Sequence, residues 1–216
     1  MTAIRYRYQT IEFDQVDIHV KTLRDTQQFN DPDQIAKKLG ISSANWSLFG
    51  VIWASSKVLA DLMSRIDIKG KRILEVGCGV GLASLILNHR KAEITATDYH
   101  PEAEQLLLSN TGLNDDADIP FQRVGWDDSA SELGQYDLII GSDLLYEQKH
   151  AEYLSSFIDQ HANPHCEVII VDPGRGFRGR FKKHMEVLGY AFSLIDFSKN
   201  NEHTEQYKGQ ILRFLK

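Results

Sequence analysis

The chain is poor in cysteine: among its 216 residues only Cys78 and Cys166 occur. Two thiols build no disulfide framework and cannot fill a tetrahedral zinc site by themselves. Long apolar runs are also missing. No stretch reaches the roughly 18–20 residues that span a bilayer, and the opening MTAIRYRYQT has no apolar segment of the kind that directs secretion. Positive charge is in deficit, with 24 Lys and Arg against 30 Asp and Glu and a net charge of −6. That balance argues against sequence-blind nucleic-acid binding, which rests on a basic face. Histidines are scattered; His161 and His165 are four apart, but Pro164 between them breaks the helix that would align them, so no metal site is expected. Repeats, low-complexity tracts and heptads are absent too. The expectation is a soluble cytoplasmic monomer in a reducing compartment, with no membrane contact.

What is present is apolar content enough for one sizeable core, 42% of the chain. Ile11 and Phe13, then Ile18 and Val20, alternate with polar residues on either side of Asp14 to Val16, which predicts a β-hairpin within residues 4–24. Asp31-Pro32 marks a helix start, and Val58, Leu59, Leu62 and Ile66 give an amphipathic helix within Val51–Ile66. From Lys71 onward strands and helices alternate. The predicted strands are Arg72–Val76, Glu93–Thr97, Phe121–Val124, Tyr136–Gly141, Glu167–Val171, Tyr190–Phe197 and Gln210–Leu215. The predicted helices are Gly81–Asn88, Pro101–Leu113, Glu147–Gln160 and Phe177–Leu188. Strands as apolar as ILEV, DLII and VIIV belong in a parallel sheet covered on both faces. The alternation implies an α/β, doubly wound, seven-stranded sheet. No helix separates the last two strands, so an antiparallel C-terminal hairpin is expected. Residues 1–45 read as an N-terminal hairpin and lid, and 46–216 as the core.

The most informative stretch is RILEVGCGVGLAS, Arg72 to Ser84. Glycines at 77, 79 and 81 permit a tight turn and leave the backbone bare toward a ligand. Asp98 closes the next strand, twenty-one residues after Gly77, where an acid can take two ribose hydroxyls. A dinucleotide site wants GxGxxG, yet Leu82 stands where its third glycine would fall. Glu75, just before the turn, is unwelcome beside a pyrophosphate and useful beside a cation. S-adenosyl-L-methionine, a cationic nucleoside, suits this set better than a nicotinamide dinucleotide; a purely structural glycine turn is the bland alternative.

At this point the chain, from about Phe49 to its end, resembles the class I, seven-β-strand S-adenosylmethionine-dependent methyltransferases, and more narrowly the methyltransferase-like protein lysine methyltransferases. LFGVIWASSKVLADLM, ILEVGCGVGLA, TATD, VGWDD and SDLLY carry the likeness. The resemblance implies a Rossmann-like core and a protein substrate. It implies cofactor contacts from Trp53, Glu75, Gly77, Cys78, Gly79, Gly81, Asp98, Trp126 and Ser142, with Cys78 contributing its backbone N–H. The Asp-x-x-Tyr pair, Asp143 and Tyr146, is implied as the catalytic couple, orienting an incoming lysine amine. Asp143 also reads as an N-cap for a helix starting near Glu147. Two departures are visible: Ala54 stands where the family commonly has proline, and Leu145 where the flavoprotein-directed branch has an aromatic. VDPGRGFRGRF nonetheless looks like that branch, so the target stays open. A small-molecule amine, a protein arginine or histidine, or cofactor binding without catalysis are the alternatives. The basic run Arg175, Arg178, Arg180, Lys182 and Lys183 is either a grip for an acidic surface or a solvated helix face.

Overall fold

A computed structural model describes residues 4–14, 16–128, 132–196, 203–204 and 206–216. Its elements in chain order begin with β1 (Tyr6–Phe13), β2 (Val16–Leu23), α1 (Ile35–Lys38), a 3₁₀ turn at Trp46–Gly50 and α2 (Ala54–Met63). The core continues through β3 (Arg72–Val76), α3 (Leu82–His89), β4 (Glu93–Asp98), α4 (Ala103–Leu113), β5 (Phe121–Arg123) and β6 (Tyr136–Ser142). It closes with α5 (His150–His161), β7 (Ala162–Asp172), α6 (Arg178–Val187), β8 (Ala191–Ile195) and β9 (Gln210–Leu215). Gln15 in the expected hairpin turn, and Phe197 at the end of an expected strand, lie outside the described residues.

The seven-stranded sheet has the order β5-β4-β3-β6-β7-β9-β8. All pairs from β5 to β7 are parallel, whereas β9 slots between β7 and β8 and runs antiparallel to both. Successive residues on each strand alternate between two buried layers. Ile73, Leu138, Ile140, Ile169 and Val171 join the core under α2 and α3. Leu74, Val76, Ile139, Val168 and Ile170 face the other core, built with Phe157 of α5 and Phe181 of α6. Covering both faces is why these strands are almost wholly apolar.

Among the boundaries that differ from the sequence reading are the starts of β7 and α5. β7 starts at Ala162 rather than Glu167, because Ala162 pairs with Tyr136 ahead of a register shift before Leu138. Pro164, which lacks an N–H to donate, falls at that irregularity, where a strand tolerates it. α5 starts at His150, three residues past the expected Glu147, since Leu144 and Leu145 are drawn into the core first.

The β1–β2 hairpin buries Ile11, Phe13, Ile18 and Val20 against the first core. The free edge of β2 is closed by two asparagines one turn apart, Asn110 of α4 and Asn114 just past its end. Asn114 accepts from the His19 N–H at 2.8 Å and donates to its carbonyl at 2.8 Å; Asn110 does the same for Lys21 at 2.7 and 3.2 Å. These amides occupy the place of a neighbouring strand and blunt an exposed edge. Asn110 is fully buried. Asn110→Ala is therefore expected to cost about 1–3 kcal/mol of stability by leaving buried backbone groups unpaired. Urea denaturation of the two proteins measures it, and an unchanged midpoint would remove the edge-closing role.

Candidate active site

The strand order reverses at β3, with β4 and β5 on one side and β6 and β7 on the other. Doubly wound sheets bind ligands in the crevice beyond the strand ends at such a switch point. Here that crevice encloses about 690 Å³, walled by the loops after β3, β4, β5, β6 and β7 together with parts of residues 39–56.

The loop after β3 forms the floor. Gly77, Gly79 and Gly81 all have positive φ, at 61°, 55° and 77°. At position 79 a side chain is excluded for a second reason: a Cβ there would lie 2.9 Å from the Phe49 carbonyl oxygen. The Cys78 N–H donates to the Thr97 carbonyl at 2.9 Å, and the Gly79 N–H to Asp98 Oδ2 at 2.8 Å. Asp98 Oδ1 accepts from the His100 N–H at 2.8 Å. Each carboxylate oxygen thus has a backbone partner and keeps lone-pair capacity, and Asp98 lines the crevice. Burial raises the Asp98 pKa, opposed by the N–H groups of His100, Gly79 and Tyr99.

Glu75 is placed differently from the sequence reading, and this is a correction. It does not line the crevice. The β3 pleat sends Ile73 and Glu75 to the same face, under α3, and Glu75 is 2% exposed. Its carboxylate accepts from both the backbone N–H, at 2.9 Å, and the hydroxyl of Ser84 in the first turn of α3. Burial outweighs those bonds and pushes its pKa up to about 7.

Tyr99, next in sequence to Asp98, donates its hydroxyl to the Leu39 carbonyl at 2.8 Å and so ties the wall at 39–45 to the core. His100 stacks on Phe49 with centroids 3.8 Å apart and meets Trp46 edge-on. Its Nδ1 accepts from the Glu102 N–H, which leaves the proton on Nε2, buried and unpartnered among the described residues. Burial drops the His100 pKa to about 4, so the ring is neutral.

Trp53, half-buried, precedes α2 and donates Nε1–H to the Leu48 carbonyl at 3.1 Å. Trp126, also half-buried, meets His150 edge-on at 5.1 Å, and the same imidazole meets Tyr146 edge-on at 4.5 Å. His150 Nδ1 bonds the Leu144 carbonyl at 2.9 Å. Burial, with the carboxylates of Asp98, Glu147 and Asp143 around it, pushes the Tyr146 phenol up to about 12; it keeps its proton at neutral pH.

Asp143 has φ 58°, a left-handed conformation for a residue with a side chain, and its N–H donates to the Val171 carbonyl at 2.9 Å. Such strain persists only where surrounding structure imposes it. The Asp143 carboxylate accepts from Arg175 Nε at 2.9 Å. Lys149, not Asp143, precedes α5, so the N-cap reading falls. Ser142, Asp143 and Tyr146 line the same crevice as Trp53, Trp126, Gly77, Cys78, Gly79 and Asp98. Gly81 sits just outside it, at the start of α3.

Tyr99, His100, His150 and the pairing of Arg175 with Asp143 were missed in the sequence reading. Arg175 stood in the basic run, and His150 lies four residues past Tyr146, but neither spacing says which way the loop turns. Among the described residues no cluster of His, Cys, Asp and Glu suits a metal ion, and no helix is long and apolar enough to cross a membrane.

Comparison with known proteins adds a family. A profile described as lysine methyltransferase matches residues 34–187. Protein N-lysine methyltransferase METTL21A of Danio rerio is 31% identical over 114 residues, covering 48% of this chain and 52% of that protein. The electron transfer flavoprotein beta subunit lysine methyltransferase of Xenopus laevis is 28% identical over 144 residues, covering 66% and 56%. The matches thus span little more than half the length of these two relatives. Among solved structures, a methyltransferase from Pyrococcus furiosus superposes with TM-score 0.60 at 19% identity, covering 74% of this chain and 82% of that one. Magnesium protoporphyrin IX methyltransferase from Synechocystis, solved with SAM bound, gives TM-score 0.56 at 18% identity over 75% and 77%. These two likenesses concern the fold.

The buried carboxyl under the glycine loop makes a pH prediction. With a folded pKa near 7, Glu75 takes up a proton on folding between about pH 4.5 and 7, and stability falls as pH rises through that window. Glu75→Gln has no such proton. Its unfolding free energy is expected to gain on the parent protein by up to about 1.4 kcal/mol per pH unit across the window. Denaturant titrations at pH 5, 6, 7 and 8 check this; a pH-independent difference would refute it.

Proposed function

The chain belongs to the lysine methyltransferase family, and on that premise we propose that it transfers a methyl group from S-adenosylmethionine to a lysine side chain of another protein. The observation that carries the reading is the meeting of Asp98, the bare glycine loop, Asp143 and Tyr146 around one crevice at the switch point. The first two suit a nucleoside, and the last two an incoming amine.

The residues fit that cofactor. A Cβ at position 79 would strike the Phe49 carbonyl, so the cradle holds its shape only with glycine. Asp98 offers two ribose hydroxyls the lone pairs its backbone partners leave free. Ser142, the Cys78 backbone, Trp53 and Trp126 supply the remaining walls. S-adenosylmethionine brings its own electrophilic methyl and a neutral thioether leaving group, so the protein's task is alignment.

A lysine ammonium has no lone pair, and its pKa near 10.4 holds the proton at neutral pH. Desolvation between Trp53, Trp126 and Leu144 lowers that value by disfavouring the charged form. Asp143 accepts a hydrogen bond from the nitrogen and aims it, while the proton leaves to water at the rim, where Tyr146 is 46% exposed. Tyr146 keeps its own proton and offers its oxygen as a second acceptor to the amine.

The compartment and assembly follow the same reading: a cytoplasmic monomer. Supporting the compartment are two unbridged, buried cysteines whose thiols are held protonated by burial, Cys166 being pushed up to about 12. Residues 1–45 belong to the enzyme as an extension on the 46–216 core; Leu39, Gly40, Ile41 and Asn45 standing in the crevice wall support a lid role.

Asp98→Ala is expected to weaken S-adenosylmethionine binding by about 1–3 kcal/mol, the cost of unpaired hydroxyls. Calorimetry on a variant whose circular dichroism is unchanged measures it, and undiminished affinity would sink the ribose assignment. Asp143→Ala is expected to bind the cofactor and fail to transfer. Incubated with a cell lysate and radiolabelled S-adenosylmethionine, the parent protein should label a protein whose hydrolysate contains methyl-lysine. Label on arginine or on small molecules overturns the acceptor, and label surviving Asp143→Ala overturns the role of that residue.

A further inference from the structure

The site leaves one charged segment unexplained. Residues 174–185 carry Arg175, Arg178, Arg180, Lys182 and Lys183 with no acid among them, in a chain of net charge −6. The segment leaves the end of β7 and becomes the first turns of α6, so it starts at the sheet end where the crevice lies. Phe181 and Met185 turn into the core, while Arg180 and Lys183 face solvent. Cations in the first turn oppose the positive end of a helix dipole, and α6 has neither an acid there nor a side-chain cap. The placement works against the stability of its own helix. Only Lys182 has an acidic partner on the helix, Glu186 at 2.7 Å. Among the described residues Arg180 and Lys183 make no ion pair, and Arg178 makes none at contact distance, attracting the Asp172 carboxylate from further off.

Arg175 joins this face to the chemistry. Its Nε–H is spent on Asp143, and its backbone N–H is held by Asp172 Oδ1 at 3.1 Å, which fixes the root of the side chain. The two terminal nitrogens have no hydrogen-bond partner among the described residues, and the side chain is 42% exposed. A guanidinium anchored through Nε presents its remaining donors as a planar fork, the geometry that takes a carboxylate in two parallel bonds.

We propose that Arg175, Arg178, Arg180 and Lys183 form the docking surface for an acidic segment of the protein substrate, with Arg175 reading a carboxylate beside the acceptor lysine. This rests on the lysine methyltransferase reading and adds the substrate class to it. An acidic neighbour serves the reaction twice. It supplies Coulombic attraction for an overall acidic enzyme, and it takes up the free donors of Arg175 without releasing Asp143, which stays aimed at the amine. Electrostatic pairing of this kind acts on encounter and specificity more than on the chemical step.

The test uses the full chain and a fluorescent random copolymer of glutamate and lysine in fourfold glutamate excess, followed by anisotropy, with polyuridylate as the competing polyanion. The parent protein is expected to bind the copolymer more tightly than polyuridylate and to lose affinity with added salt. The triple variant Arg178→Glu, Arg180→Glu, Lys183→Glu should lose at least tenfold in copolymer affinity with S-adenosylmethionine binding unchanged. Arg175→Lys, which keeps the charge without the fork, should lose several-fold. Equal binding by the triple variant, no binding by the parent, or preference for polyuridylate overturns the proposal. Calorimetry with S-adenosylmethionine stands apart from the anisotropy, so failure of the cofactor reading shows as lost cofactor binding, whatever the copolymer does.

Discussion

The molecule turns on a short electrostatic link: the Asp98 carboxylate accepting the N–H groups of Gly79 and His100. It joins the loop after β3 to the end of β4, and it is possible only because position 79 has no side chain to strike the Phe49 carbonyl. Three parts of the chain, far apart in sequence, are registered by that contact. A carboxylate partly satisfied by its own backbone is rigid, since two charge-assisted bonds fix its plane. The free lone pairs are therefore preorganised toward the crevice, which is what binding a diol asks of a carboxylate.

Around this link the two sides of the β3 loop differ in polarity. Beneath it, Glu75 holds the first turn of α3 through Ser84, in a site so dry that its proton is retained to about pH 7. Above it the crevice combines apolar side chains, Trp53, Trp126 and Leu144 among them, with polar ones such as Asp98, Asp127, Ser142 and Asp143. A neutral His100 stacked on Phe49 completes the inner wall. Apart from the Asp98 carboxylate, the charges that pair at the crevice are those of Asp143 and Arg175, beside the neutral Tyr146. A dry wall with charge at its mouth both desolvates an amine and attracts one.

Asp143 and Arg175 come from adjacent strand ends. β6 and β7 are parallel neighbours, and Ser142 pairs with Val171, so the residues that follow them emerge side by side. The bond from the Asp143 N–H to the Val171 carbonyl extends that ladder by one rung while the Asp143 backbone turns left-handed. Topology places the acid, and the strain at one residue aims it.

The sequence alone determined the sheet, its winding and the identity of the glycine turn, because apolar alternation and strand–helix alternation are local patterns with one cheap global solution. Asp98 was legible by its spacing from Gly77, and Asp143 and Tyr146 by resemblance. Glu75 was misread: a strand's pleat decides which face a residue serves, and only the packed helix α3 shows that 75 shares its face with the buried Ile73. His150, Tyr99 and the Arg175 pairing were invisible for a related reason. Tyr99 and Arg175 sit on loops and His150 on the first residue of α5, where no period links position to direction. Where a loop side chain points depends on contacts across elements, here with Leu144, Leu39 and Asp143, and such contacts exist only once the sheet has brought distant strand ends together.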